Sequence, residues 1–216
     1  MADFATTHAN LESARRAWAL RVMRIGGVIQ VCFAAFWLVR GSLAIGGLVG
    51  TALAAVLLAV ALAALLYGLI ATAGLAPRPR GTDAANVERE VTIASIIQLA
   101  ASFAAPFLVI TMGYSDLVVP SIAITIGPLL LYLDYRLFIP RYRLAGWALI
   151  LAPIACALLL FGAALSAVVG LVAGALLLVT AIIGFRQLTA NAALRLARQH
   201  RRDATRIRSH TPAGSW

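Results

Sequence analysis

Six stretches of apolar residues, separated by short polar or glycine-containing breaks, organise this chain from position 22 to position 185. Each is close to the ~20 residues that an α-helix needs to cross the hydrocarbon core of a bilayer. The pattern predicts transmembrane helices at about 22–39, 46–72, 91–112, 117–139, 144–162 and 166–185. The last two come from one apolar run, Leu144 to Phe185, which is twice the required length. Gly162 and Ser166 permit a tight turn within it, so the run is divided there. Residues 1–21 read as an amphipathic segment, with Leu11, Trp18, Val22 and Ile25 on one side and Trp18 as an interfacial anchor. Residues 186–216 read as a basic tail that continues helically, with Arg195, Arg198, Arg202 and Arg206 on one stripe. The expected fold class is an all-α integral membrane protein with short outer loops.

Composition agrees with this reading. Hydrophobic residues make up 62% of the chain and charged residues 12%. An average soluble domain is about half apolar and about a quarter charged. Lysine is absent, and the wealth of Ala and Leu fits GC-rich coding in a bacterium. The expected location is therefore a bacterial inner membrane, crossed several times. The pair Arg15-Arg16 precedes an apolar run with no small-residue cleavage site, so that run is expected to stay as a helix.

The arginines divide by side. Seventeen fall in the N-terminal segment, the 2–3 loop, the 4–5 loop and the tail, and only Arg40 falls in an outer turn. The positive-inside rule then places both termini in the cytoplasm, and an even number of spans agrees in putting both on one side. The segment Pro77-Arg78-Pro79-Arg80-Gly81 reads as a linker between hairpins. Anionic lipid headgroups are the expected partner of the basic tail. Nucleic acid is not, since no recognition motif accompanies the charge.

Helices in lipid associate through close approach of small residues. The second span carries Gly47, Thr51, Ala55, Ala59 and Ala63 four apart, and the sixth carries Gly162, Ser166, Gly170 and Gly174. These ladders are expected to pack within the chain or to form a homodimer face.

Polar positions inside the spans mark the candidate site. Ser95, Gln98 and Ser102 form one stripe on the third span. Ser121, Thr125, Pro128, Tyr132 and Arg136 form another on the fourth. Polar side chains avoid lipid, so the stripes should face each other inside the bundle. Either they bond back to their helices, with Gln98 as a bridge, or they line a hydrated cavity for a small polar solute. Asp134 is the single acid within a span, placed near the cytoplasmic interface; it reads as an interfacial ion pair or as a cation-linked acid. Glu88 and Glu90 suit the positive end of the third helix or an ion pair with the 4–5 loop.

No histidine lies in a span, and Cys32 and Cys156 stand alone, so no metal or cofactor is expected. Neither a Gly-x-Ser-x-Gly elbow nor a phosphate loop or dinucleotide fingerprint is present, and an enzyme is not expected. Two function classes follow. One is a small-solute permease or membrane-embedded solute-binding subunit with its site between spans three and four. The other is a structural or regulatory membrane protein that docks partners.

Overall fold

The computed structural model describes residues 2–75 and 81–210, with side chains at 12, 15–75 and 81–194. Six helices account for nearly all of it, and no strand occurs among the described residues. They are α1 (Ala2–Ile45), α2 (Gly47–Ala71), α3 (Thr82–Thr111), α4 (Val118–Leu137), α5 (Pro140–Leu159) and α6 (Gly162–His210). A 3-10 turn, Ser115–Leu117, leads into α4. All six are long and apolar enough to cross a membrane. Six crossings return the chain to the side on which it starts. That side is the arginine-rich end of the bundle.

Two helices are longer than the hydrophobic pattern alone indicates. The N-terminal segment and the first span form one helix, because no Pro or Gly interrupts residues 11–25. Arg40, read as an outer-turn residue, lies within the last turns of α1. The reversal comes at Gly46 and Gly47, both with positive φ. The sixth span likewise continues to His210 as helix. The side chains of its basic stripe, Arg195 to Arg206, and the Pro77–Arg80 stretch lie outside the described residues. The break between α5 and α6 falls at extended Leu160 and at Gly162 (φ 58°), with Ser166 already inside α6.

The seam between α1 and α6 is the most extensive in the molecule. It is close because glycine meets glycine. A Cβ built on Gly41 would lie 2.7 Å from the Leu171 amide nitrogen, and one on Gly170 would lie 2.8 Å from the Gly41 Cα. Ala34, Trp37, Leu38, Ala173 and Leu177 are buried along the same helices. A second glycine pair, Gly127 and Gly146, joins α4 to α5, each occupying space next to the other's carbonyl oxygen. Phe185 of α6 is fully buried, with its ring against Gly27 of α1 and Gly68 of α2.

The expected α2 ladder is corrected by the packing. Gly47, Thr51, Ala55, Ala59 and Ala63 are all exposed. The face that packs is Gly50, Ala54, Ala61, Ala64 and Gly68. On α6 the ladder divides: Gly170 and Gly174 meet α1, whereas Gly162 faces open space at the turn.

Trp18 is also not the interfacial anchor that its position suggested. It is buried, and its Nε1 donates to the Ala84 carbonyl oxygen at 2.8 Å, tying α1 to the first turn of α3. Trp18→Phe keeps an aromatic ring but removes this hydrogen bond between the two helices. We expect a loss of about 1–2 kcal/mol in reversible unfolding in detergent.

Candidate functional site

The two polar stripes meet along the seam of α3 and α4. Gln98 Nε2 donates to Ser102 Oγ at 2.8 Å, and Ser102 Oγ lies 2.7 Å from Thr125 Oγ1. Thr125 donates to its own helix at Ile122 O, 2.7 Å away. The Thr125 proton is thereby committed, so Ser102 must be the donor in the middle link. Protons run in one direction, from the Gln98 amide through both hydroxyls to a backbone carbonyl. Each hydroxyl both donates and accepts, which is what a polar group in lipid requires.

The other expected site residues divide around this chain. Ser95 donates to Val91 O and Ser121 to Val118 O, both at 2.8 Å and both within their own helix. Arg136 binds Glu90 through Nε at 3.0 Å and through a second guanidinium nitrogen. This ion pair clamps the arginine-rich ends of α3 and α4 together, the ion-pair alternative for Glu90. Tyr132 is half-buried on the same stripe.

Asp134 turns away from the stripe. It is buried, and its Oδ2 accepts from Arg143 Nε at 2.8 Å. The turn between α4 and α5 makes this meeting possible. Phe138 adopts a left-handed conformation (φ 54°), rare for a bulky residue, and its N–H closes onto Asp134 O at 2.8 Å. Pro140 then opens α5, where a missing N–H costs nothing. Three residues later Arg143 stands over the last turn of α4.

A cavity of about 280 Å³ lies beside the α3–α4 seam, but α1 supplies its largest wall. Ile25, Gly26, Ile29, Gln30 and Phe33 come from α1; Val91, Ser95 and Gln98 come from α3. Ile126, Leu129, Leu130 and Leu133 of α4 form the floor, and Tyr142 and Leu177 close the back. The volume is close to the ~300 Å³ lower bound of pockets that hold small organic ligands. The cavity lies in the half of the bundle nearer the arginine-rich end. Ile25, Ile29 and Phe33 line it and are also 43%, 50% and 42% exposed, so it opens sideways at the perimeter, between α1 and α3. The opening exists because α3 buries residues only near its start, at Ala84 and Val87.

Of the expected site residues, Ser95 and Gln98 reach the cavity; Ser102, Ser121, Thr125, Tyr132, Asp134 and Arg136 do not line it. The stripe of α4 is thus a packing surface against α3, and the open space lies on the other side of Gln98. Sequence reasoning missed Gln30 and Tyr142. Gln30 is the one amide side chain in the first span, a signal present in the sequence. No polar residue accompanies it three or four positions away, so it forms no stripe. Tyr142 sits one residue from two arginines and reads as part of the aromatic belt. In the structure it is buried and lines the cavity together with Gln30.

Compared with protein-family models, with curated proteins and with solved structures, the chain matches none of them.

Proposed function

We propose that this polytopic membrane protein is a small-solute permease or membrane-embedded solute-binding subunit, with the α1–α3–α4 cavity as its site. One observation carries the reading: a cavity of ligand size, walled by apolar side chains, into which a few amides and hydroxyls converge. That combination is the usual form of a small-molecule site. The role is one of binding, with no catalytic group assigned. The arginine asymmetry supports placement in a bacterial inner membrane with both termini in the cytoplasm.

The test uses a glycine in the cavity wall. A Cβ on Gly26 meets Val22 and Tyr142 only at ordinary contact distances, 3.6 and 3.7 Å. Gly26→Leu should therefore fold and fill the space. A thermal-shift screen of the purified protein against metabolites, ions and lipid-soluble compounds is expected to yield a stabilising ligand. At a hundredfold excess over Kd the gain is about 2.7 kcal/mol. Gly26→Leu should abolish that gain without lowering the melting temperature of the free protein. A ligand whose effect survives Gly26→Leu binds elsewhere and removes this reading.

A second reading has one observation in its favour. The outward ladder Gly47, Thr51, Ala55, Ala59 and Ala63 leaves a smooth small-residue face on α2, suited to a second copy in a structural or docking role. Cross-linking through Ala55→Cys in native membranes tests it: a dimer band supports docking, and its absence removes it.

A further inference from the structure

Arg21 carries the only charge that borders the cavity among the described residues. It is half-buried near the arginine-rich end of α1, with its guanidinium 5.7 Å from the Trp18 ring centre. Trp18 is buried and tied to the Ala84 carbonyl, so it offers the cation a fixed face. A guanidinium over a ring keeps the edge of its planar N–H fork free. No acid takes that edge. Glu12, Glu90 and Asp134 pair with Arg16, Arg136 and Arg143, and Arg21 makes no ion pair or hydrogen bond among the described residues. From Arg21 the cavity runs along α1 to Phe33, about 18 Å at the helical rise of ~1.5 Å per residue. Its wall is mainly apolar over that length. The two polar side chains on the α3 side already bond within the protein, Ser95 to Val91 O and Gln98 to Ser102. Gln30 and Tyr142 are buried and offer little surface.

We infer that the ligand is a single-chain anionic amphiphile of the fatty-acid kind, whose carboxylate pairs with Arg21 and whose chain lies along α1 towards Phe33. This rests on the cavity being the binding site. The one charge lies at the arginine-rich end and the apolar slot extends away from it, the arrangement of an amphiphile within one leaflet. A volume of about 280 Å³ takes one acyl chain and not the two of a phospholipid. The sideways opening lets that chain enter without leaving the bilayer. A freely hydrated ion or sugar finds too few polar partners along these walls. A cationic amphiphile meets Arg21 with like charge, and a neutral one leaves the guanidinium unpaired.

Three probes with one chain separate these claims: dodecanoate, 1-dodecanol and dodecyltrimethylammonium. Affinities are measured in phosphatidylcholine nanodiscs at pH 9, where the bilayer-bound acid is ionised, and expressed per mole fraction in the lipid, which cancels partitioning. Dodecanoate is expected to bind about tenfold more tightly than dodecanol, the factor that a hydrogen bond to a charged group gives at the low end of its range. Arg21→Gln should reduce that ratio to about twofold or less while leaving dodecanol affinity unchanged. Arg24→Gln, three residues along α1 and outside the cavity wall, should keep the ratio. The wild-type ratio needs no variant, so the result does not depend on Arg21→Gln folding. Equal binding of dodecanoate and dodecanol, or tighter binding of the ammonium probe, overturns the anion inference and leaves the cavity as a site. A ratio that survives Arg21→Gln, or falls as far in Arg24→Gln, overturns it as well, since the general field of the arginines would then be the cause. Phosphatidylglycerol that displaces dodecanoate at equal mole fraction overturns the single-chain assignment. Probe binding that persists in Gly26→Leu, or binding of no probe at all, overturns the site together with the inference.

Discussion

Gly170→Leu is expected to separate α1 from α6 and to produce the largest loss of stability of any single substitution considered. Lipid tails are as apolar as Leu, so burying surface between these helices gains little. What holds them is short-range attraction between closely approaching backbones. That attraction is greatest where Gly170 meets Gly41. A Cβ at Gly170 falls 2.8 Å from the Gly41 Cα and 3.0 Å from the Trp37 carbonyl oxygen. Both obstacles are backbone, so no side chain can rotate away. A leucine must move the helices apart, and the contacts at Ala34, Leu38 and Gly174 are lost with it. Overpacking a well-packed core costs about 1–3 kcal/mol, and this case belongs at the upper end, about 3 kcal/mol. The matched control is Ala55→Leu on the exposed face of α2, expected within about 0.5 kcal/mol of wild type. Reversible unfolding in mixed micelles measures both. A Gly170→Leu protein of wild-type stability would show that α1 and α6 are not joined at this seam.

The α2 ladder shows where sequence patterns in an alanine-rich helix mislead. At ~3.6 residues per turn, a step of four residues overshoots by about 40°. Five small residues at strict fours therefore drift off the face that packs within the bundle and stay exposed. The face that packs, Gly50, Ala54, Ala61, Ala64 and Gly68, uses mixed spacings and returns to its starting angle after five turns. A short ladder does not drift far, which is why Gly170 and Gly174 read correctly as a contact. The Gly127–Gly146 pair offers no pattern at all, since each glycine stands alone in its helix and becomes informative only once α4 and α5 are placed side by side.

The spans were legible because lipid imposes length and apolarity on each helix independently of its neighbours. The meeting of Ser102 with Thr125 was legible because polar groups on adjacent helices have nowhere else to go. The cavity was not, because its largest wall comes from α1. Nothing in the order of the spans announces that α1 lies beside α3. Gln30 shares this fate: it lines the cavity beside residues of α3, α4 and α5 that are all remote in sequence.

Arg143→Ala and Asp134→Asn remove opposite ends of one ion pair and are expected to have unequal effects. The Asp134 side chain is 7% exposed, whereas that of Arg143 is 70% exposed. When Asp134 becomes Asn, the guanidinium is left in contact with water and headgroups, and no charge is stranded. The expected cost is below about 1 kcal/mol, within the range of exposed ion pairs. When Arg143 becomes Ala, the carboxylate stays behind in the turn that Phe138 closes, with its charge uncompensated. Breaking a buried pair from that side costs about 3–5 kcal/mol, and the partial exposure of this pair lowers the figure to about 2–3 kcal/mol. The double variant should recover most of the loss, because the stranded charge goes with Asp134. A double-mutant cycle then gives a coupling of about 2 kcal/mol. Asp134 does not line the cavity, so Asp134→Asn should also leave ligand-induced stabilisation unchanged. Equal costs for the two single variants would mean that Asp134 is as well solvated as Arg143. Loss of ligand response in Asp134→Asn would assign the acid to the binding cycle and return it to the role of a cation-linked carboxylate.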